Sequence, residues 1–251
     1  MNQKKISLKT RLRNGPMIIA PGAYDAIGAR LIEQAGFEAA YMTGAGTSAA
    51  RGFPDFGLLT MTEMVGNAAV MARSIGIPLV ADADTGYGNE LNVTRTVREY
   101  EDRGVAAIHI EDQVSPKRCG HLDGKQVISA SEFASKIRAA VEARRSDEFI
   151  IIARTDARAV NGLEDAVARV NAALEVGADL AFVEAAETLE EVAAIPRLVR
   201  GSCLLNVVPG GKTPIFDLRA QRPTGCTATS SRGVLATARI EYRIRRSVLT
   251  L

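Results

Sequence analysis

Short apolar runs alternate with longer amphipathic segments along most of the chain. The apolar runs are continuous, which is typical of strands buried on both faces of a sheet; they cover residues 17–20, 38–43, 78–82, 106–111, 149–154, 180–184 and 203–207. The segments between them have helical periodicity, at residues 25–35, 62–75, 92–103, 131–144, 163–176 and 189–199. Several end in a glycine suited to a helix C-cap, namely Gly36, Gly76, Gly104, Gly177 and Gly201. This repeat predicts parallel strands joined by helices.

Polar residues at the predicted strand ends decide between the two architectures that such a repeat allows, an open sheet and a closed barrel. Six of the seven strands finish in polar side chains, which are Thr43, Asp82 with Asp84, Glu111, Arg154, Glu184 and Asn206. In a barrel these ends converge on one mouth, where active sites of that fold lie, whereas an open sheet would spread them along an edge. We therefore predict an α/β protein with a (β/α)8 TIM-type barrel.

The composition restricts the class of protein further. A length of 251 residues suits one large domain, and 47% hydrophobic with 24% charged residues is ordinary for a globular protein. The net charge of +2 comes without a basic stripe, so we expect neither a nucleic-acid partner nor a membrane partner. No apolar run has the length of a secretory signal or a membrane span, and three cysteines are too few for a disulfide framework. These features predict a cytoplasmic protein.

The C-terminal region differs from the rest of the chain. Its residues 218–251 contain seven arginines and one acid, so they carry +6 while residues 1–217 carry −4. Residues 219–233 contain no apolar run of strand length. We therefore expect a barrel body over residues 1–217 and a divergent basic tail over 218–251, either part of the same domain or poorly ordered, without a regular eighth strand. Two hypotheses remain open: an altered reading frame near residue 218, or a divergent tail in a working enzyme.

An acidic cluster is the most informative chemistry in the sequence. Asp82 and Asp84 are two positions apart, so on a strand their carboxylates would project to the same side. Glu111 ends the next strand, and Asp55 in the loop after the second strand could add a fourth carboxylate. Carboxylates without convergent histidine or cysteine ligands form a hard oxygen site, which favours Mg²⁺ over Zn²⁺.

Two further features could bind a carboxylate. Arg154 offers a planar fork of donors, although an internal ion pair with Asp156 or Glu184 is the alternative. The glycine-rich segment 43–46 could expose backbone N–H groups to an oxyanion.

The segment 113–123 follows the strand that ends in Glu111 and has no helical period. It contains Lys117, Arg118, Cys119 and His121, and a thiol among such groups should have a lowered pKa and exchange protons near neutrality. His109 is interpreted as a structural residue of the strand.

These stretches together resemble the isocitrate lyase and phosphoenolpyruvate mutase superfamily. The resemblance rests on the ordered segments 41–45, 52–57, 81–88, 109–113, 117–121, 153–156 and 182–184 with Asn206. It implies a (β/α)8 barrel, usually a homotetramer that exchanges its last helices, with Mg²⁺ (Mn²⁺ possible) and a 2-oxo or 2-hydroxy acid. By position, Asp84 would be the nearest metal ligand, and Asp55, Asp82 and Glu111 would hold the metal's waters.

The resemblance also implies roles for the remaining candidates. Tyr41, Thr43, Gly44, Ala45 and Arg154 would grip a pyruvate-like unit, and Glu184 and Asn206 would complete the pocket. The segment Lys117-Arg-Cys-Gly-His121 is similar to the loop of the lyase branch, which includes methylisocitrate lyase and 2,3-dimethylmalate lyase. The implied reaction is a retro-aldol cleavage in which Cys119 protonates the departing carbanion, with Tyr41 as the candidate for the base.

Three alternatives stay open at this stage. The first is an oxaloacetate hydrolase or decarboxylase, which would bind the metal and the oxo acid in the same way. The second is a phosphonate mutase of the same superfamily. The third is a catalytically weak or silent barrel, which the unusual tail motivates.

Overall fold

The computed structural model describes residues 7–14, 16–120, 122–208, 210–214 and 233–237. In this part of the chain, parallel strands form one closed barrel in sequence order, β1 to β8, and β8 pairs with β1. The strands are β1 Ile18–Ala23, β2 Ala40–Met42, β3 Leu79–Asp82, β4 Ala107–Glu111, β5 Ile150–Thr155, β6 Leu180–Val183, β7 Ser202–Val207 and β8 Gly233–Thr237. The prediction of a TIM-type barrel is confirmed.

Helices follow most of the strands and surround the barrel. They are α1 Leu8–Asn14, α2 Ala26–Gln34, α3 Gly44–Ala50, α4 Met61–Ser74, α5 Glu90–Asp102, α6 Ala130–Ala143, α7 Arg158–Asn161, α8 Leu163–Glu175 and α9 Leu189–Leu198. Five of the longer ones begin at a side chain that accepts a backbone N–H of the first turn, as at Asp25, Thr60, Asn89, Ser129 and Thr188. These local caps explain why predicted and observed helix ends differ by only one or two residues.

Three short helices, α1, α3 and α7, were not predicted from the sequence. The glycine-rich segment 43–46, expected to expose backbone N–H groups, forms the start of α3, with Thr43 as its N-cap. Helix α1 places Leu8 and Leu12 in the buried cluster that also contains Ile18 and Val80 of the barrel interior. Since these leucines pack among residues of the strands' N-terminal halves, α1 closes that end of the barrel and leaves the opposite mouth for the site.

The expectation that the chain has no regular eighth strand is wrong. Residues 233–237 form β8, which pairs with Ile18 to Pro21 of β1 on one side and with Cys203 to Val207 of β7 on the other. The run is short and weakly apolar, so its pattern in the sequence did not identify it; pairing on both sides satisfies its backbone and closes the barrel. The remaining tail, 215–232 and 238–251, lies outside the described residues. The hypothesis of an altered reading frame concerns this tail and stays a hypothesis.

Two buried layers support the barrel. Residues such as Ile150, Ile152 and Phe182 fill its interior, and a larger layer that includes Ile108, Ile110 and Ile151 packs strands against helices. Within the described ranges, none of the helices has the length and apolar character needed to cross a membrane.

Candidate active site at the mouth of the barrel

The C-terminal ends of the strands surround a cavity of about 320 Å³. Most of the predicted site residues line it, namely Tyr41, Thr43, Gly44, Ala45, Asp55, Asp82, Lys117, Cys119, Arg154, Glu184 and Asn206. Asp84 and Glu111 lie behind its wall and contact Lys117 and Arg154. His121 lies outside the described residues. The structure therefore brings together residues that are far apart in the sequence, as the barrel prediction required.

Asp82 is fixed by backbone donors on two sides. Gly44 N–H donates to its Oδ2 at 3.1 Å and Asp84 N–H donates to its Oδ1 at 2.8 Å. A Cβ at position 44 would lie 2.3 Å from Oδ2, so only glycine allows this approach. Burial alone would raise the pKa of Asp82, but His109, followed by Lys117 and Arg154, lowers it to about 2. The carboxylate is therefore ionised, and the Gly44 N–H is committed to it.

Asp84 does not continue β3, contrary to the reasoning that placed it on the strand. The strand ends at Asp82, and Asp84 adopts a left-handed backbone with φ of 52°. Such a conformation is strained for a residue with a Cβ and is concentrated at functional sites. It turns the Asp84 carboxylate toward the ammonium of Lys117, at 3.3 Å.

Lys117 belongs to the acidic cluster. Its Nζ lies 2.6 Å from Asp55 Oδ1, and its side chain is only 4% exposed. Burial alone would lower the pKa of this lysine, but Glu111, Asp84 and other carboxylates raise it well above its usual range. Lys117 is therefore a counter-ion of Asp55 and Asp84, and the prediction that it takes part in catalysis stays a prediction.

Glu111 is fully buried beside Arg154. Residues Glu111 and Arg154 are register partners on β4 and β5, and Arg154 Nε lies 3.1 Å from Glu111 Oε2. The other oxygen accepts a hydrogen bond of 3.0 Å from Gln113 Nε2. Among the described residues, neither Glu111 Oε2 nor Asp84 Oδ1 has a hydrogen-bond partner of good geometry. Burial raises the pKa of Glu111 well above its usual range and that of Asp84 to about 6.

The two oxygens that accept no hydrogen bond, Glu111 Oε2 and Asp84 Oδ1, bear on whether the site can hold Mg²⁺. Among the described residues, six carboxylates line the cavity or contact the three cations Lys117, Lys125 and Arg154, so full ionisation of this cluster leaves a negative excess. No three of the described His, Cys, Asp and Glu side chains form a complete ligand set. That arrangement still fits Mg²⁺, which keeps several waters and takes only one or two protein carboxylates directly. The donor chemistry, and the two carboxylate oxygens that are ion-paired but accept no hydrogen bond, therefore fit a hydrated Mg²⁺ ion.

Arg154 is held by three carboxylates. Its Nε contacts Glu111 and Asp156 at 3.1 and 3.0 Å, and its Nη2 lies 3.0 Å from Glu184 Oε2. The ion pairs weighed as an alternative are therefore present, together with a third. Burial alone would lower the pKa of Arg154, but these acids raise it. Arg154 nevertheless lines the cavity, with its guanidinium 5.1 Å from the centroid of the Phe182 ring.

Glu184 and Asn206 form the wall beside Arg154. Asn206 Nδ2 lies 3.4 Å from Glu184 Oε2, and Ala185 N–H donates to Glu184 Oε1 at 2.9 Å. Ala185 has a left-handed backbone with φ of 58°. This turn directs its N–H back onto the preceding carboxylate and fixes the acid that binds Arg154.

Gly120, in the segment that follows β4, lies against this wall. A Cβ at Gly120 would lie 2.4 Å from Arg154 Nη2 and 2.7 Å from Glu184 Cγ, so the loop backbone packs directly on both side chains. Gln113 holds the segment in both directions, because its side chain donates to Arg118 O at 2.7 Å and accepts from Arg118 N–H at 3.0 Å. The half-buried Cys119 thus faces the same cavity as Arg154.

Tyr41, which lines the cavity, stacks on the buried His109 behind it. Their ring centroids are 5.7 Å apart and the planes differ by 11°. Burial, followed by the charge of Asp82, raises the pKa of Tyr41 well above 10. The phenol therefore stays protonated, which does not support its choice as the base and suits a hydrogen-bond donor. Burial also lowers the pKa of His109 to about 4, so this histidine is neutral, consistent with a structural role.

Sequence reasoning missed three supporting residues, which are Gln113, Lys125 and Asp112. Lys125 Nζ lies 2.8 Å from Asp156 Oδ1 and also donates to Gly120 O. Asp112 Oδ1 accepts the Asp156 N–H at 2.9 Å. Their positions just after β4 were visible, but nothing local in the sequence distinguishes them from solvent-exposed loop residues.

The chain is similar to several known proteins over most of its length. A family model described as phosphoenolpyruvate phosphomutase matches residues 8–240. A 2,3-dimethylmalate lyase of Eubacterium barkeri is 50% identical over 83% of this chain and 73% of its own. A solved oxaloacetate acetylhydrolase in complex with 3,3-difluorooxalacetate is 40% identical, with a TM-score of 0.85 over 92% of this chain and 78% of its own. A phosphonopyruvate hydrolase complex with oxalate and Mg²⁺ is 31% identical, with a TM-score of 0.78 over 92% and 79%.

Proposed function

The chain belongs to the phosphoenolpyruvate mutase and isocitrate lyase superfamily, and on this premise we propose a Mg²⁺-dependent lyase that cleaves a substituted 2-hydroxy acid. The resemblance predicted from the sequence is confirmed, and so is the enzyme class of carbon–carbon lyase. The substrate, the metal and the roles of individual residues belong to the proposal.

One observation carries it: Cys119 and Arg154 line the same small cavity. Arg154 presents a guanidinium that can bind a substrate carboxylate, and its three acidic partners keep it in place. The thiol at the same cavity would supply the proton that the carbanion takes up after cleavage. Phosphoryl transfer would need no such proton donor, so this pairing favours cleavage of a carbon–carbon bond over mutase chemistry.

The proposed reaction breaks the C2–C3 bond of the hydroxy acid. The hydroxyl proton leaves to a base, the C2–O bond becomes a carbonyl, and the electron pair of the broken bond stays on C3. Cys119 then donates its proton to C3. With 2,3-dimethylmalate the products are pyruvate and propionate, so atoms and electrons balance.

Asp84 would hold the metal, and Asp55, Asp82 and Glu111 would orient its waters. When bound, Mg²⁺ supplies positive charge that stabilises the developing negative charge on the substrate oxygens. Lys117 keeps Asp55 and Asp84 together.

Tyr41, protonated at all ordinary pH values, would donate a hydrogen bond to a substrate oxygen. Gly120, packed on Arg154 and Glu184, would limit access of water to the carbanion.

The cavity volume of about 320 Å³ limits the substrate to a small di- or tricarboxylate. Hydrolysis of oxaloacetate is the second candidate, because a structural neighbour with a TM-score of 0.85 is an oxaloacetate acetylhydrolase. The lyase and the hydrolase would both bind a substrate carboxylate and protonate a carbanion.

A substrate panel tests the proposal. The protein is incubated with 2,3-dimethylmalate, 2-methylisocitrate and oxaloacetate, each with Mg²⁺ and with excess EDTA. Metal-dependent release of pyruvate from the dimethylmalate supports the lyase, whereas oxalate and acetate from oxaloacetate would support the hydrolase. Absence of both products with Mg²⁺ would reject the two candidates together. The expected homotetramer is tested on the same sample by sedimentation.

A further inference from the structure

Lys125 is a buried lysine that the proposed chemistry leaves without a role. Its side chain is 1% exposed, its Nζ lies 2.8 Å from Asp156 Oδ1, and it donates a short hydrogen bond to Gly120 O. A buried ammonium is strongly unfavourable unless it is paired and hydrogen-bonded. Here one partner follows β5 and the other lies in the segment 113–123, so the lysine joins that segment to the barrel.

The Asp156 carboxylate is shared between Lys125 and Arg154. Its Oδ1 binds Lys125, and its Oδ2 accepts a hydrogen bond of 3.0 Å from Arg154 Nε. The backbone of Asp156 is itself fixed, because its N–H donates to the buried Asp112 at 2.9 Å. One rigid carboxylate therefore sets the positions of both the arginine that grips the substrate and the lysine that holds the loop.

The Gly120 carbonyl held by Lys125 belongs to the residue that packs on the Arg154–Glu184 pair. Cys119 directly precedes it and lines the cavity. A shift of Gly120 away from Arg154 would move the thiol with it, since the two residues share one peptide unit.

We propose that Lys125 is a positioning residue, whose ammonium, anchored on Asp156, holds Gly120 against Arg154 and thereby keeps the Cys119 thiol at the cavity. Its catalytic consequence rests on the proposed lyase function, whereas its effect on the placement of Cys119 does not. A purely stabilising ion pair would affect folding alone.

Lys9 provides a matched control at the closed end of the barrel. Its Nζ also joins a carboxylate and a backbone carbonyl, Asp179 and Asp147, and its side chain is 11% exposed. Lys125→Met and Lys9→Met therefore remove the same type of interaction, one at the site and one far from it. Both variants should lower the melting temperature.

Two readouts separate positioning from general stability. Alkylation of Cys119 by iodoacetamide is followed by peptide mass mapping, which distinguishes it from Cys203 and Cys226. Pyruvate release from 2,3-dimethylmalate with Mg²⁺ gives kcat and KM. For Lys125→Met we expect alkylation about 10-fold faster and kcat about 10-fold lower, as for loss of one charge-assisted hydrogen bond, with KM changed less. Lys9→Met should leave both readouts at the wild-type level.

The proposal would be overturned if Cys119 in the Lys125→Met variant were alkylated at the wild-type rate. It would also be overturned if the Lys9→Met variant showed an equal increase in that rate. If the wild-type protein releases no pyruvate, the lyase assignment for this substrate fails, while the alkylation ratio still decides the role of Lys125. If Lys125→Met does not fold, Lys125→Gln replaces it, because glutamine keeps one donor. A smaller acceleration is then expected, and none would again overturn the proposal.

Discussion

The backbone N–H of Gly44 donates to Asp82 Oδ2 at 3.1 Å, and a Cβ at position 44 would lie 2.3 Å from that oxygen. This contact joins the first turn of α3 to the end of β3, across the floor of the cavity. It means that a methyl group at position 44 must displace the Asp82 carboxylate, which two backbone N–H groups hold.

Gly44→Ala should therefore cut turnover by about 10²-fold, since misplacing a catalytic group by about 1 Å has effects of that size. Gly66→Ala is the matched control, because position 66 lies in α4 and a Cβ there meets nothing within 4 Å. That change should leave turnover intact and raise stability by roughly 0.5–1 kcal/mol. The check is kcat together with thermal melting; equal activity of the two variants would contradict the role given to Asp82.

Asp84→Asn should abolish the stabilisation of the protein by Mg²⁺. In the wild type, a cation bound at Asp84 should raise the melting temperature in proportion to the logarithm of its concentration. Without metal, the variant should be as stable as the wild type or more so, because burial and the neighbouring acids already disfavour charge on Asp84. Melting curves over a series of Mg²⁺ concentrations measure this effect. If Mg²⁺ raised the melting temperature of the variant as much as that of the wild type, the ion would bind elsewhere.

Cys119→Ser should lower kcat by roughly 10²-fold or more while KM changes little, as expected for loss of a positioned proton donor. The control is Cys203→Ser, whose thiol lies on β7 away from the cavity. An unchanged kcat for Cys119→Ser would reduce the cysteine to a loop residue and weaken the lyase assignment.

Tyr41→Phe distinguishes a hydrogen-bond donor from a base. As a donor, Tyr41 would bind an oxygen of an oxo acid directly, so its loss should weaken oxalate binding about 10- to 100-fold, the value of one hydrogen bond to a charged group. As a base, it would leave oxalate affinity unchanged and lower turnover only. Calorimetric titration with oxalate in the presence of Mg²⁺ separates the two, and the raised pKa of Tyr41 predicts the first result.

The sequence alone determined the repeat of strands and helices and the candidate residues at the strand ends. These features are encoded locally. An apolar run of four to six residues predicts a buried strand, and a capping side chain such as Thr60 or Ser129 fixes a helix start within its own first turn. The barrel prediction then followed from one general rule, that the carboxyl ends of its strands meet at one mouth.

Only the tertiary structure decided which partners each of these residues has. Lys117 binds Asp55 across 62 positions of sequence, and Lys125 binds Asp156 across 31. The left-handed backbone of Asp84 and the pairing of β8 on both sides likewise depend on neighbours that are distant in the chain. The physical reason is common to all of them. Burial makes the cost of an unpaired charge or backbone group large, so the partner is selected by the packed structure and leaves no periodic signal in the sequence.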